Sequence, residues 1–311
     1  MPSLYFSYRT GIRSKGVYQR MRKTALFLIF AFSLMLAAAC GQQQPPASAG
    51  ASPAPDSTTG KGEDKVIRHI MSDSGFNGDI VNILKKELAK DGYTLEHVVV
   101  NDIIQPNKMV NDKQADSNSF QHEAYFDQFV ADHGLKNVTR AFYTIFTPSG
   151  LYSKKYKSFK EVPDGATIGI PVDPANNGRA LFMLRDLGLL KLKDGVDVIH
   201  TTLKDITDNP HKFKFKEVDQ LMLQRTLDDV DVGFLFAGTA IQIGLNPKTD
   251  SLAVETGEGL PYKSIVAVHK DLVGTPKIKA LQKAYESQAV KDFYKSKYGD
   301  AIQFLDDLNK K

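Results

Sequence analysis

The sequence predicts an α/β fold in two lobes with a ligand cleft between them, and three observations predict it. Strand-like and helix-like patterns alternate along the chain, an order that argues a parallel sheet with helices on both faces. Of 311 residues, 42% are hydrophobic and 24% charged, a globular composition with apolar mass for one large or two medium domains. The part that follows an N-terminal leader, about 250 residues, exceeds the usual size of one core, so two lobes are expected.

Residues 65–71 (KVIRHIM) read as the first strand. From 75 to 92, Ile80, Ile83, Leu84 and Leu88 recur at helical spacing, with Gly92 as a stop signal. Residues 94–100 read as a strand and 105–112 as a short helix. Residues 122–133 place Tyr125, Phe126, Phe129 and Val130 on one side of a helix that Gly134 closes. Residues 166–170 form a short apolar run suited to a buried parallel strand. Asp173 and Pro174 then open a helix, as cap and first helical residue, and Gly188 ends it. Further strands are expected at 196–202, 213–218, 231–236 and 264–269, with helices near 220–227 and 238–244. No internal repeat is evident.

Ahead of these elements, residues 24–39 read TALFLIFAFSLMLAAA, preceded by Arg22 and Lys23. This apolar run is shorter than the roughly 20 residues that span a bilayer, and it ends in small residues, as the core of a secretory signal does. Residues 1–39 are therefore expected to be a signal peptide, with Met21 as an alternative start. Leu36-Ala37-Ala38-Ala39-Cys40 resembles a bacterial lipobox, so Cys40 is the expected lipidation site. Residues 41–63 contain four prolines and no large apolar side chain. They cannot repay the entropy of ordering, and 40–63 is expected to be a lipidated, flexible tether reaching about 25 Å.

The formal charge of +4 comes from the leader, which holds six cations and no acid; without it, 34 basic residues face 36 acidic ones. A near-neutral body offers no general field for nucleic acid, and none is expected as a partner. Cys40 is the single cysteine, so neither an intramolecular disulfide nor a thiolate metal cluster can form within the chain. His122-Glu123-Ala124-Tyr125-Phe126 starts like a zinc-protease helix but has Phe126 where the second imidazole would stand. No G-x-S-x-G, P-loop or G-x-G-x-x-G motif occurs. The expectation is a binding protein, not an enzyme, with no metal and no cofactor.

Particular strings then point further: Gln105-Pro106-Asn107, Phe120-Gln121-His122 with Tyr125 three residues on, Leu151-Tyr152-Ser153-Lys154-Lys155-Tyr156, Gly165-Ala166-Thr167-Ile168, Gly178-Arg179-Ala180-Leu181, and Gly244-Leu245-Asn246-Pro247. In this order they resemble the NlpA/MetQ-type lipoproteins, the methionine-binding proteins of ABC importers, across residues 64–311. The resemblance implies a two-lobe periplasmic-binding-protein fold, with the chain crossing near 148 and 247. Lobe 1 would be 64–147 plus 248–311, and lobe 2 would be 148–247. It also implies a free amino acid as ligand, an ABC permease with its ATPase as partners, and anchorage by lipid to a membrane of the bacterial cell envelope.

The chemistry of such a cleft can be read from residues as well. A planar guanidinium is the side chain best matched to a ligand carboxylate, and Arg179 lies on the flank of the helix opened by Asp173, near its anion-favouring start. Asn176 falls beside the apolar centre of the same helix. The resemblance places His122 and Tyr125 at the ligand too. Three positions depart from the family's pattern: Ile103 and Ser119 stand where aromatics are usual, and Phe236 stands where an Asn reaches the zwitterion. Ser264 and Val172 also replace frequent Asn residues. These changes predict a drier pocket that holds methionine weakly. A surface lipoprotein that keeps the fold but contacts a macromolecule is the alternative.

Overall fold

The computed structural model describes residues 64–72, 77–255, 261–299 and 302–306. All of them fall in one compact unit, Lys61–Lys311. The expected signal peptide, Cys40 and the tether up to residue 63 lie outside the described residues.

The strands in chain order are β1 (Val66–Met71), β2 (Thr94–Val99), β3 (Ser117–Asn118), β4 (Val138–Tyr143), β5 (Ile145–Phe146), β6 (Gly150–Tyr152) and β7 (Thr167–Pro171). There follow β8 (Lys191–Leu192), β9 (Ile206–Asp208), β10 (Lys214–Val218), β11 (Val232–Leu235), β12 (Ser251–Val254), β13 (Ile265–His269) and β14 (Gln303–Phe304). The helices used below are α1 (Asn77–Lys90), α2 (Gln105–Asn111), α3 (Glu123–His133) and α4 (Pro174–Asp186).

Two five-stranded sheets organise the chain, one in the order β2-β1-β3-β13-β4 and the other β10-β7-β11-β6-β12. β1 runs parallel to β2 and β3, and β7 parallel to β10 and β11. The expectation of a parallel sheet is corrected at the remaining strands. β13 is antiparallel to β3 and β4, and β6 is antiparallel to β11 and β12. These are the strands nearest to where the chain passes from one sheet to the other, and there it enters against the direction of its neighbours. The second sheet also continues past residue 247, the crossing expected from sequence, because β12 pairs with β6.

Each sheet has its own core. Ile67, Leu84, Leu88, Val266, Val268 and Leu281 are fully buried around the first; Leu151, Ile168, Ile170, Leu181, Leu184 and Phe234 around the second. Each such side chain contributes about 1.5–3 kcal/mol on leaving water.

The strand expected at 196–202 is absent, and the segment is a series of turns. Asp197 supplies the reason: its carboxylate accepts the Ile199 N–H at 2.8 Å and its carbonyl accepts the Thr201 hydroxyl at 2.6 Å. Local side-chain bonding of this kind competes with a ladder for the same backbone. Local chemistry also sets the helix starts that matter for the site. Asp173 caps α4 by accepting the Asn176 N–H at 3.0 Å, with Pro174 at the first position. His122 caps α3, its Nδ1 accepting the Tyr125 N–H at 3.1 Å.

Candidate functional site

Residues from both halves line one cavity of ≈ 310 Å³. Ser119, His122, Tyr125 and Thr144 reach it from the first half, and Asn176, Arg179, Phe236 and Gln242 from the second. The ends of α3 and α4 face each other there, so the two capped helix starts bring their functional side chains together.

Arg179 is 3% exposed and projects from the first turns of α4. Its Nε donates to Glu255 Oε2 at 2.9 Å and its Nη2 to Glu255 Oε1, a two-pronged pair. Glu255 Oε1 also accepts the Ser149 N–H at 2.6 Å. The guanidinium lies 4.0 Å from the centre of the Tyr262 ring and 6.0 Å from that of Phe236. Stacking and forked bonding together hold the cation in one orientation, a placement an ammonium could not reproduce.

His122 links the two halves. Because Nδ1 accepts from the Tyr125 backbone, the ring proton sits on Nε2, which donates to Asn176 Oδ1 at 2.9 Å. Asn176 Nδ2 in turn donates to Asp173 Oδ1 at 2.9 Å. Burial, with the Arg179 cation beside it, pushes the imidazole down to about 3, so it is neutral at ordinary pH. Burial likewise raises the Asp173 carboxyl, whose Oδ2 is buried and meets no donor. Tyr125 is held by its hydroxyl, which donates to the Ile103 carbonyl at 2.9 Å.

Six of the seven ligand-binding candidates from the sequence therefore share this cavity: Arg179, His122, Tyr125, Asn176, Ser119 and Phe236. Ile103 does not line it. Its carbonyl fixes Tyr125 and its side chain packs in the apolar cluster behind, so its part is support at one remove. Val172 is 54% exposed and also lies off the cavity wall, whereas Ser264 is on it.

Two features escaped sequence reasoning. Glu255 and Tyr262 flank Arg179 but lie 76 and 83 residues further along the chain, in a stretch with no pattern that announces a site. The strings Gln105-Pro106-Asn107 and Phe120-Gln121-His122 meet each other: Asn107 and Gln121 exchange bonds of 2.9 and 2.7 Å, and Asn118 Nδ2 donates to Asn107 Oδ1 at 2.9 Å. This buried amide network carries no charge, and its Gln121 immediately precedes His122 in the chain.

Two α/β halves with a polar cavity between them define the class of two-lobe solute-binding proteins. The chain belongs to the NlpA lipoprotein family, which it matches over residues 73–304. It is 37% identical over 228 residues to the methionine-binding lipoprotein MetQ of Bacillus subtilis, an alignment covering 73% of this chain and 83% of that protein. It is 37% identical over 220 residues to the D-methionine-binding lipoprotein MetQ of Escherichia coli, covering 70% and 80%. The fold superposes with a TM-score of 0.71 on a nutrient-binding protein from Burkholderia cenocepacia bound to methionine, at 34% identity, covering 77% of this chain and 98% of that one.

Proposed function

We propose that this protein is the membrane-anchored substrate-binding lipoprotein of an ABC importer, and that it captures a free amino acid, methionine or a related compound, in the cavity between its lobes. The observation that carries this reading is the cavity itself, lined by a buried guanidinium and a neutral imidazole, in a chain whose relatives are named for methionine binding. In this reading Arg179 meets the ligand carboxylate through Nη1, the nitrogen of the fork that Glu255 leaves. Asn176 and His122 frame the polar end, and Tyr125 and Phe236 wall the side chain. Ser119 and Phe236 adapt the pocket away from tight methionine binding, since an aromatic wall and an amide are replaced.

The lipid on Cys40 and the tether up to residue 63 keep the binding body beside the membrane, where the permease and its ATPase receive the solute. Among the described residues no helix is long and apolar enough to cross a membrane. The second lobe runs from about residue 148 through β12, so that the return crossing follows Val254. Native mass spectrometry of the gently purified body tests the assignment: one amino-acid-sized mass per chain is expected. Protein that is bare and gains no mass from any added amino acid contradicts it.

A further inference from the structure

Of the side chains that line the cavity, Arg179 is the one with a fixed charge among the described residues. His122 is neutral, and the remaining polar lining consists of hydroxyls and amides such as Ser119, Asn176 and Gln220. Directly behind the guanidinium, Glu255 occupies two of its nitrogens, and the side chains of the pair are 3% and 2% exposed. Ser149 N–H holds Glu255 Oε1 in place from the other side. The wall therefore presents hydrogen-bonding groups but no net charge.

We infer that Glu255 sets the charge class of the ligand: by neutralising Arg179 from behind, it makes this a site for solutes of zero net charge, zwitterions above all, and excludes anions. The physical basis is the cost of leaving a charge uncompensated where water is displaced. A zwitterion brings its own balance into a neutral cavity, whereas a plain carboxylate adds one unpaired negative charge next to Glu255. Without Glu255 the cavity would carry an unpaired cation, and a carboxylate lacking an ammonium would suit it best. Glu255 is thus a positioning residue, acting on the ligand through Arg179. This inference rests on the amino-acid reading above and deepens it.

The test compares two probes of nearly equal size by calorimetry: methionine, and its 2-hydroxy analogue, in which a hydroxyl replaces the ammonium and the net charge is −1. The wild-type protein should prefer methionine. In Glu255→Gln, checked for native circular dichroism, the preference should move toward the hydroxy acid by about tenfold or more, the low end of couplings measured between close charges at interfaces. A merely structural Glu255 would weaken both probes alike and leave their ratio unchanged, which overturns the inference. Equal or tighter binding of the hydroxy acid by the wild type also overturns it, and that measurement stands even if the variant does not fold. Methionine bound with no shift in ratio leaves the amino-acid reading intact; failure of both probes to bind either protein removes that reading and the inference together.

Discussion

Arg179 shows how a residue that the sequence points to can carry a bonding partner that the sequence does not announce. Its type and helix position pointed to a carboxylate, and it does hold one, but the carboxylate is Glu255 of the same chain. Distant pairs of this kind leave no periodic trace, so no local pattern could have supplied the partner. The pair makes a stability prediction. Arg179→Ala strands Glu255 unpaired in a buried site and should cost about 3–5 kcal/mol of unfolding free energy, whereas Arg179→Met with Glu255→Leu, which removes both charges, should recover most of it. Urea denaturation of the three proteins measures the difference. Equal loss in the single and double variants would mean that the site is destabilised by altered packing alone.

At the scale of elements, what was legible is what obeys a local rule. The Asp173-Pro174 start of α4, the His122 start of α3 and the Gly134 stop, where φ is 61°, can be read from residue types. Short strands that join a sheet through distant partners could not, and β6, with three residues, has no period to detect. The turns at 196–202 illustrate the same limit, because beyond the local bonds of Asp197 the backbone there also packs closely against Gly178 of α4. A Cβ added at Gly178 would run into the Val198 carbonyl oxygen. Gly178→Ala should therefore push α4 off this turn and cost about 1–3 kcal/mol or more, visible as a lower melting temperature. A neutral effect would show that the turn yields freely. Since α4 also carries Asn176 and Arg179, ligand affinity should fall with it.

For the whole molecule, two buried histidines tie stability to pH. His69 sits within the first sheet, bonded to the Ser117 and Tyr285 hydroxyls at 2.7 Å each, and His122 joins the two halves. Burial pushes both down to about 3. The unfolded chain protonates these rings near their ordinary value of 6.5 while the folded protein does not, so between about 6.5 and 3 the unfolded state binds more protons. Their contribution is accordingly intact above pH 6.5 and is lost as pH falls, at up to about 1.4 kcal/mol per pH unit for each ring. Denaturant melts between pH 5 and 7 should show this slope, and His122→Gln should reduce it; a flat profile in the wild type would contradict the buried neutral rings. The same scale holds most of what sequence could say about function, because the order of matching strings over the body carries the family even where a single position, such as Ile103, lies off the cavity wall. The central claim is that this body captures a free amino acid between its lobes, and calorimetric titration of methionine into the wild-type protein tests it most directly. Saturable binding of one molecule per chain is expected, in the micromolar range or weaker on the proposal that Ser119 and Phe236 stand in for better-suited partners, each missing 1.4 kcal/mol costing about tenfold. Folded protein that gives no saturable heat with methionine or any other amino acid at millimolar concentration would contradict the account.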